Sequence, residues 1–227
     1  MKKIFLIIAV MAMSATMFAQ ADSTKVQSDK GQSTKDTIEG FVFTTVDSIA
    51  ITPVKDQNRS STCWAFSTLG YLESELLRMG KGVYDLSEMF VVSKTMMDRA
   101  TYQVRMYHEA SFSPGGSAYD VIYCMKHYGL VPQSAMPGIQ YGWSAADSLP
   151  VHNELDAVAS GYVNGLKKMK KLTPVWKKGL QAIYDTYLGA CPEEFEYNGK
   201  TYTPKTFVQM LGLNADDYVS ITSYTHH

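Results

Sequence analysis

The sequence predicts an α+β protein that is mainly helical at first and closes on β structure. Three observations carry that expectation. Apolar residues recur at three- and four-residue steps in consecutive segments opening near Cys63, Asp85 and Gly116. Two basic, amphipathic segments follow, around 154–171 and 175–188. Strand signals come only after them: Asn198-Gly199 between Phe195-Glu196-Tyr197 and Lys200-Thr201-Tyr202, then an alternating run from Tyr218 to Tyr224. Helices followed by strands along a chain fit an α+β protein.

From the N-terminus, Lys2 and Lys3 precede an apolar run from Ile4 to Val10 that weakens toward Phe18, and small residues frame Ala19-Gln20-Ala21. A basic start, a short apolar core and a small-residue exit are the parts of a secretory signal peptide, assigned to residues 1–21. The alternative, an uncleaved anchor, meets an apolar run that Ser14 and Thr16 cut short of a comfortable span. The expectation is a secreted or periplasmic protein with no stable membrane insertion after cleavage. Residues 22–38 are polar, lack aromatics and read as a flexible linker.

Order is expected to begin near Ile38 and to reach Cys63 through Ile51-Thr52-Pro53-Val54, an extended approach. A helix from Cys63 would put Ala65, Leu69, Leu72 and Leu76 on one face and end at Gly80 and Gly82. A second helix opens at Asp85, with Glu88 three residues on as in a capping box, and continues through Met89, Val92, Met96 and Met97. The Pro114-Gly115-Gly116 turn opens a third, carrying Ala118, Ile122 and Met125 and closing at Gly129. A short helix is expected over Thr206–Leu211.

Charge narrows the chemistry. With 21 basic against 22 acidic residues the chain has a formal net charge of −1, and so no electrostatic footprint for nucleic acid. Three cysteines, Cys63, Cys124 and Cys191, leave at least one thiol unpaired within the chain. No cofactor is expected. Nor is a metal, because the histidines and cysteines lack ligand spacing.

The chemistry concentrates in Val54-Lys55-Asp56-Gln57-Asn58-Arg59-Ser60-Ser61-Thr62-Cys63-Trp64-Ala65-Phe66. Acyl transfer by sulfur needs a thiolate. A helix N-terminus favours negative charge, through its unsatisfied N–H groups and its dipole. The Cys63 N–H and the Gln57 side-chain N–H would then be the two donors to an oxyanion. Losing one such donor costs about 3–4 kcal/mol of transition-state stabilisation. The bland reading is a buried cysteine beside a core tryptophan. Paired glycines in Ser113-Pro114-Gly115-Gly116-Ser117 let an extended peptide backbone approach closely, whereas a simple helix-entry turn is the alternative.

Together these segments resemble the papain family of cysteine peptidases: glutamine six residues before the cysteine, Cys-Trp-Ala-Phe at a helix start, and Gly-Gly about fifty residues on. Leu86-Ser87-Glu88 resembles the start of that family's second helix. Gly129-Leu130-Val131-Pro132-Gln133-Ser134-Ala135-Met136-Pro137 looks like the bleomycin hydrolase and aminopeptidase C branch.

The resemblance implies a papain-like fold, chiefly its helical left-hand domain over 39–148. A helical insertion with a hairpin over 149–215 and the start of a β-rich domain over 216–227 complete it. It implies a cysteine aminopeptidase acting on peptides, with Cys63 and Gln57 catalytic and Gly115, Gly116 and Trp64 binding substrate. A homo-oligomer is implied for the full-length protein. Ser60 stands where secreted relatives usually carry a pairing cysteine, so Cys124 and Cys191 read as buried or spare thiols, a bond between them remaining open.

The family's base is a histidine at a strand start, with an asparagine beyond. His226 and His227 end a strand-like run, and His108, His127 and His152 read as surface or helix histidines. The chain is therefore expected to stop before the catalytic His and Asn. The alternative is a catalytically inactive peptide-binding or remnant half-domain.

Overall fold

The computed structural model describes residues 43–106, 112–142, 149–219 and 221. The chain divides into two units, Met1–Val46 and Asp47–His227, and every element below belongs to the second. The proposed signal peptide and linker lie outside the described residues, as do His108, His226 and His227.

Among the described residues, six helices and one hairpin run in the order α1 (Cys63–Arg78), α2 (Glu88–Met106), α3 (Ala118–His127), α4 (Asn153–Leu166), α5 (Trp176–Leu188), β1 (Phe195–Tyr197), β2 (Lys200–Tyr202) and α6 (Pro204–Leu211). A 3-10 turn follows at Ala215–Asp217. α2 is the axis of the unit, touching α1, α3, α4 and α5. Its length explains this. Apolar residues on several sides (Met89, Phe90, Val91, Val92, Met96, Ala100, Val104) are buried, so it needs partners around it.

The stripe expected on α1 forms, with Ala65, Leu69, Leu72 and Leu76 all fully buried. α2 differs at its start. Phe90 N–H donates to the Ser87 hydroxyl (3.2 Å), so Ser87 caps the helix and Asp85 does not. Asp85 and Glu88 are both drawn to Lys55 instead. α3 buries Val121, Cys124 and Met125, whereas Ala118 is exposed and Ile122 only half-buried, a stripe rotated from the expected one. Gly129, at φ +91°, ends that segment. A Cβ there would lie 2.3 Å from the Pro204 carbonyl carbon, so the absent side chain is what lets α6 dock.

α4 stops at Leu166, and residues 167–171, four lysines around one methionine, lie outside the helix. Continuing it would stack like charges with no apolar face to bury. The hairpin pairs Phe195 with Tyr202 and Tyr197 with Lys200 around Asn198 (φ 49°) and Gly199 (φ 72°), the left-handed pair of a type I′ turn. Fully buried Phe207 of α6 receives it, with the Phe195, Tyr197 and Tyr202 rings 5.2–5.8 Å away and nearly perpendicular.

The buried core runs continuously from Trp64 to Leu213, so residues 149–215 pack as part of the same body as α1–α3. Of the terminal strand expected over Tyr218–Tyr224, residues 218, 219 and 221 have no strand pairing and the remainder lies outside the described residues. Among the described residues, no helix is long and apolar enough to cross a membrane.

Candidate active site

Cys63 is the first residue of α1, and its side chain is exposed. At that position no helical carbonyl can accept its backbone N–H, which is left to face an approaching anion. The approach to the helix is unusual. Asn58 (φ 45°) and Ser61 (φ 55°) both sit in the left-handed region, a conformation that costs non-glycine residues on the order of 1–3 kcal/mol each. Asn58 is helped by its N–H donating to Asp56 Oδ1 (2.7 Å). These two turns fold the chain between Gln57 and Cys63. Thr62 and Ser60 beneath them are fully buried, their hydroxyls bonded to each other.

Gln57 is half-buried on this segment, and its Oε1 is buried without a hydrogen-bond partner among the described residues. What fixes the segment is Lys55. Its Nζ lies 2.8 Å from Glu73 Oε1, 2.8 Å from Glu88 Oε1 and 2.6 Å from Asp85 Oδ1, and it donates to the Leu86 carbonyl. Glu73 also accepts from the Thr52 hydroxyl (2.9 Å) and the Leu86 N–H (2.8 Å). Burial alone would lower the Lys55 pKa; the surrounding carboxylates, Glu88 foremost, hold it well above the usual lysine range. Burial pushes the Glu88 carboxyl up against the pull of Lys55. One lysine thereby ties the segment carrying Gln57 to α1 and α2.

Trp64 is buried (5% exposed), and its role follows from what it touches. Its indole N–H donates to the Pro114 carbonyl (3.1 Å), and Gly116 lies against the ring. A Cβ on Gly116 would be 2.4 Å from the indole Cδ2 and Cε2. Trp64 therefore packs against the glycine loop and supports it. Gly115 and Gly116 are both exposed, but the Gly115 carbonyl accepts from Arg99. The structure thus brings Cys63, Trp64 and Gly116 into one connected patch. Sequence reasoning did not find Lys55 or Arg99, because their partners lie 16 to 33 residues away.

A cleft of about 710 Å³ opens between α2 and α3, reaching Gly115 and walled by Asp98, Arg99, Tyr119 and Tyr123; neither Cys63 nor Gln57 lines it. Among the described residues no His, Cys, Asp and Glu side chains gather as a metal site.

Of the two described histidines, His127 agrees with expectation and His152 corrects it. His127 is exposed at the end of α3, its ring 4.2 Å from that of Tyr123. His152 is neither a surface residue nor a helical one. It is buried at the N-cap of α4, its N–H donates to the Arg59 carbonyl (3.0 Å), and its imidazole bonds the Ser60 backbone. Its Nε2 is buried without a partner, and burial pulls its pKa down to about 4. Cys124 and Cys191 are free, and burial raises both thiols.

The papain family cysteine protease model matches residues 42–137. A "Cysteine proteinase" of Trypanosoma brucei brucei is 31% identical over 116 residues, 49% of this chain and 26% of the relative. "Aminopeptidase G" of Lactobacillus delbrueckii subsp. lactis is 27% identical over 214 residues, 77% of this chain and 48% of the relative. The crystal structure of PepW from Lactobacillus rhamnosis HN001 matches with a TM-score of 0.51 and 22% identity, covering 72% of this chain and 45% of that one, a likeness of fold. The chain spans about half the length, or less, of these relatives. The fold is thus the mostly helical, papain-like α+β arrangement; residues 42–137 match the papain family of cysteine proteases, and the longer likenesses, to Aminopeptidase G and PepW, lie on its aminopeptidase side.

Proposed function

We propose that this chain carries the nucleophile half of a cysteine-type aminopeptidase that hydrolyses peptides through an acyl-thioenzyme at Cys63. The observation that carries this reading is the exposed Cys63 at the start of α1, with the next residue, Trp64, holding Gly116 in place beside it.

The chemistry follows from those positions. The extended backbone of a peptide pairs with Gly116. The Cys63 thiolate attacks the scissile carbonyl carbon, forming the C–S bond and moving the carbonyl π electrons onto oxygen. That oxyanion receives the Cys63 N–H and a Gln57 side-chain N–H. Collapse breaks the C–N bond, and the departing amine takes a proton from an imidazolium. Water then attacks the thioester, releasing the acid and restoring the thiol. The imidazole belongs to neither described histidine: His127 sits at the far end of α3 and His152 is enclosed beneath Arg59 and Ser60. The reading assigns it to a residue outside the described ones. It also takes the enzyme to be an exported homo-oligomer.

The test is turnover of peptides with free and N-acetylated termini by the protein as its cells produce it. Cleavage restricted to free termini and abolished in Cys63→Ala supports the aminopeptidase. Cleavage that survives Cys63→Ala overturns it. Peptide affinity without any turnover favours the binding half-domain.

A further inference from the structure

Trp64 fixes Pro114 and Gly116 of the Ser113–Ser117 loop but not Gly115 between them. The Gly115 carbonyl accepts from Nη1 of Arg99, a residue of α2. The second arm of the same guanidinium, Nη2, lies 3.1 Å from Asp120 Oδ2 on α3. That oxygen also accepts from the Ser117 N–H (2.7 Å) and the Ser117 hydroxyl (3.0 Å), closing the cap of α3. A planar fork is the one cationic side chain that can serve a carbonyl and a carboxylate at fixed spacing. Its base is rigid, because α2 is held by four neighbouring helices.

We infer that Arg99 is a positioning residue for peptide capture: it turns the Gly115 carbonyl toward α2 and so leaves Gly116 as the glycine presented to a substrate backbone. The inference rests on the reading that this loop pairs with a peptide. The two glycines are chemically identical and both exposed, yet their surroundings divide the work. Gly115 has open space where a Cβ would stand and a carbonyl engaged by Arg99. Gly116 has its Cα against the indole, and its own N–H and carbonyl form no hydrogen bond among the described residues. Without Arg99 the Gly115–Gly116 peptide, which carries the Gly115 carbonyl and the Gly116 N–H, is free to rotate, and the loop samples forms in which Gly116 does not present both groups together.

The Arg99–Asp120 pair is partly exposed, 33% and 16%, so its loss costs little global stability. A merely structural role and a positioning role therefore separate. The experiment compares two probes of Cys63 on the full chain: a peptidyl epoxide, which must pair with the loop, and iodoacetamide, which need not. In Arg99→Ala the epoxide rate constant is expected to fall about tenfold, the worth of roughly one hydrogen bond to a charged group, with the iodoacetamide rate and Tm nearly unchanged. Arg99→Lys, which keeps charge and stem but not the fork, should fall between, and it carries the same comparison if the alanine variant does not fold. An epoxide preference that survives both substitutions, or equal loss with both probes, overturns the inference. A wild-type chain with no epoxide preference overturns the peptide-groove reading and this inference with it.

Discussion

Trp64 and Gly116 are in van der Waals contact across the patch that begins at Cys63, and the contact leaves no room for a single methyl group. A Cβ on Gly116 would sit 2.4 Å from two indole carbons. The indole cannot yield easily, since it is buried and its N–H is bonded to the Pro114 carbonyl.

Gly116→Ala should therefore push the loop off the indole. A displacement of about 1 Å at a positioning element can cost on the order of 100-fold in rate. Labelling of Cys63 by a peptidyl epoxide is expected to fall by at least tenfold, while iodoacetamide still reacts. Comparable epoxide labelling in the variant would show that the loop does not position the peptide.

Lys55→Met leaves Glu73 and Glu88 buried without their cation, and breaking such a pair costs about 3–5 kcal/mol. The sign of the pH dependence follows from Glu88, whose carboxyl burial already pushes up. A folded-state carboxyl pKa above the unfolded one means that the native state binds more protons, so stability rises as pH falls through that window. The variant's deficit should be largest near neutral pH and shrink on acidification. Urea unfolding across pH 5–8 measures it; a deficit independent of pH would show that Glu88 is not the group left stranded.

His152 behaves in the opposite sense. Its folded pKa, near 4, lies below the ordinary 6.5, so the unfolded chain binds its proton first. The stabilisation is present above about pH 6.5, is lost as pH falls toward 4, and amounts to about 3 kcal/mol at most. Asp156, raised by burial to about 6, works against it by gaining stability as pH falls through that value. His152→Asn should flatten acid destabilisation between pH 6.5 and 4, read by thermal melting. An unchanged slope would show that the imidazole is not what titrates.

Phe207→Ala removes the ring against which Phe195, Tyr197 and Tyr202 stand edge-on, a loss of about 3–5 kcal/mol. Hydrogen exchange in β1 and β2 should accelerate with that loss. Unchanged protection of the hairpin would mean that its own cross-strand pairs suffice.

What the sequence showed and hid divides by distance along the chain. Leu69, Leu72 and Leu76 were legible because a stripe is a local pattern. Asn198-Gly199 was legible because the turn needs two left-handed residues. The α2 cap was misread because Asp85 and Glu88 have a local use, the capping box, and a remote one at Lys55. The remote use prevails, since it partners a buried carboxylate. His152 was misread for a similar reason: nothing beside it in sequence reveals that Ser60 and Arg59, more than ninety residues earlier, enclose it. Cys63, Gln57 and the glycine pair stood out because their chemistry demands those residue types at that spacing. Lys55 and Arg99, which position them, have no such signature.

The central claim is that Cys63 is the nucleophile of a peptide-processing site, and the intact mass of the protein after brief exposure to a substoichiometric peptidyl epoxide tests it most directly. The account predicts a single adduct, mapped to Cys63, abolished by Cys63→Ala and slowed by Gln57→Ala. An adduct distributed over Cys63 and Cys191, or one at Cys63 whose rate is indifferent to the peptide portion of the probe, would contradict it.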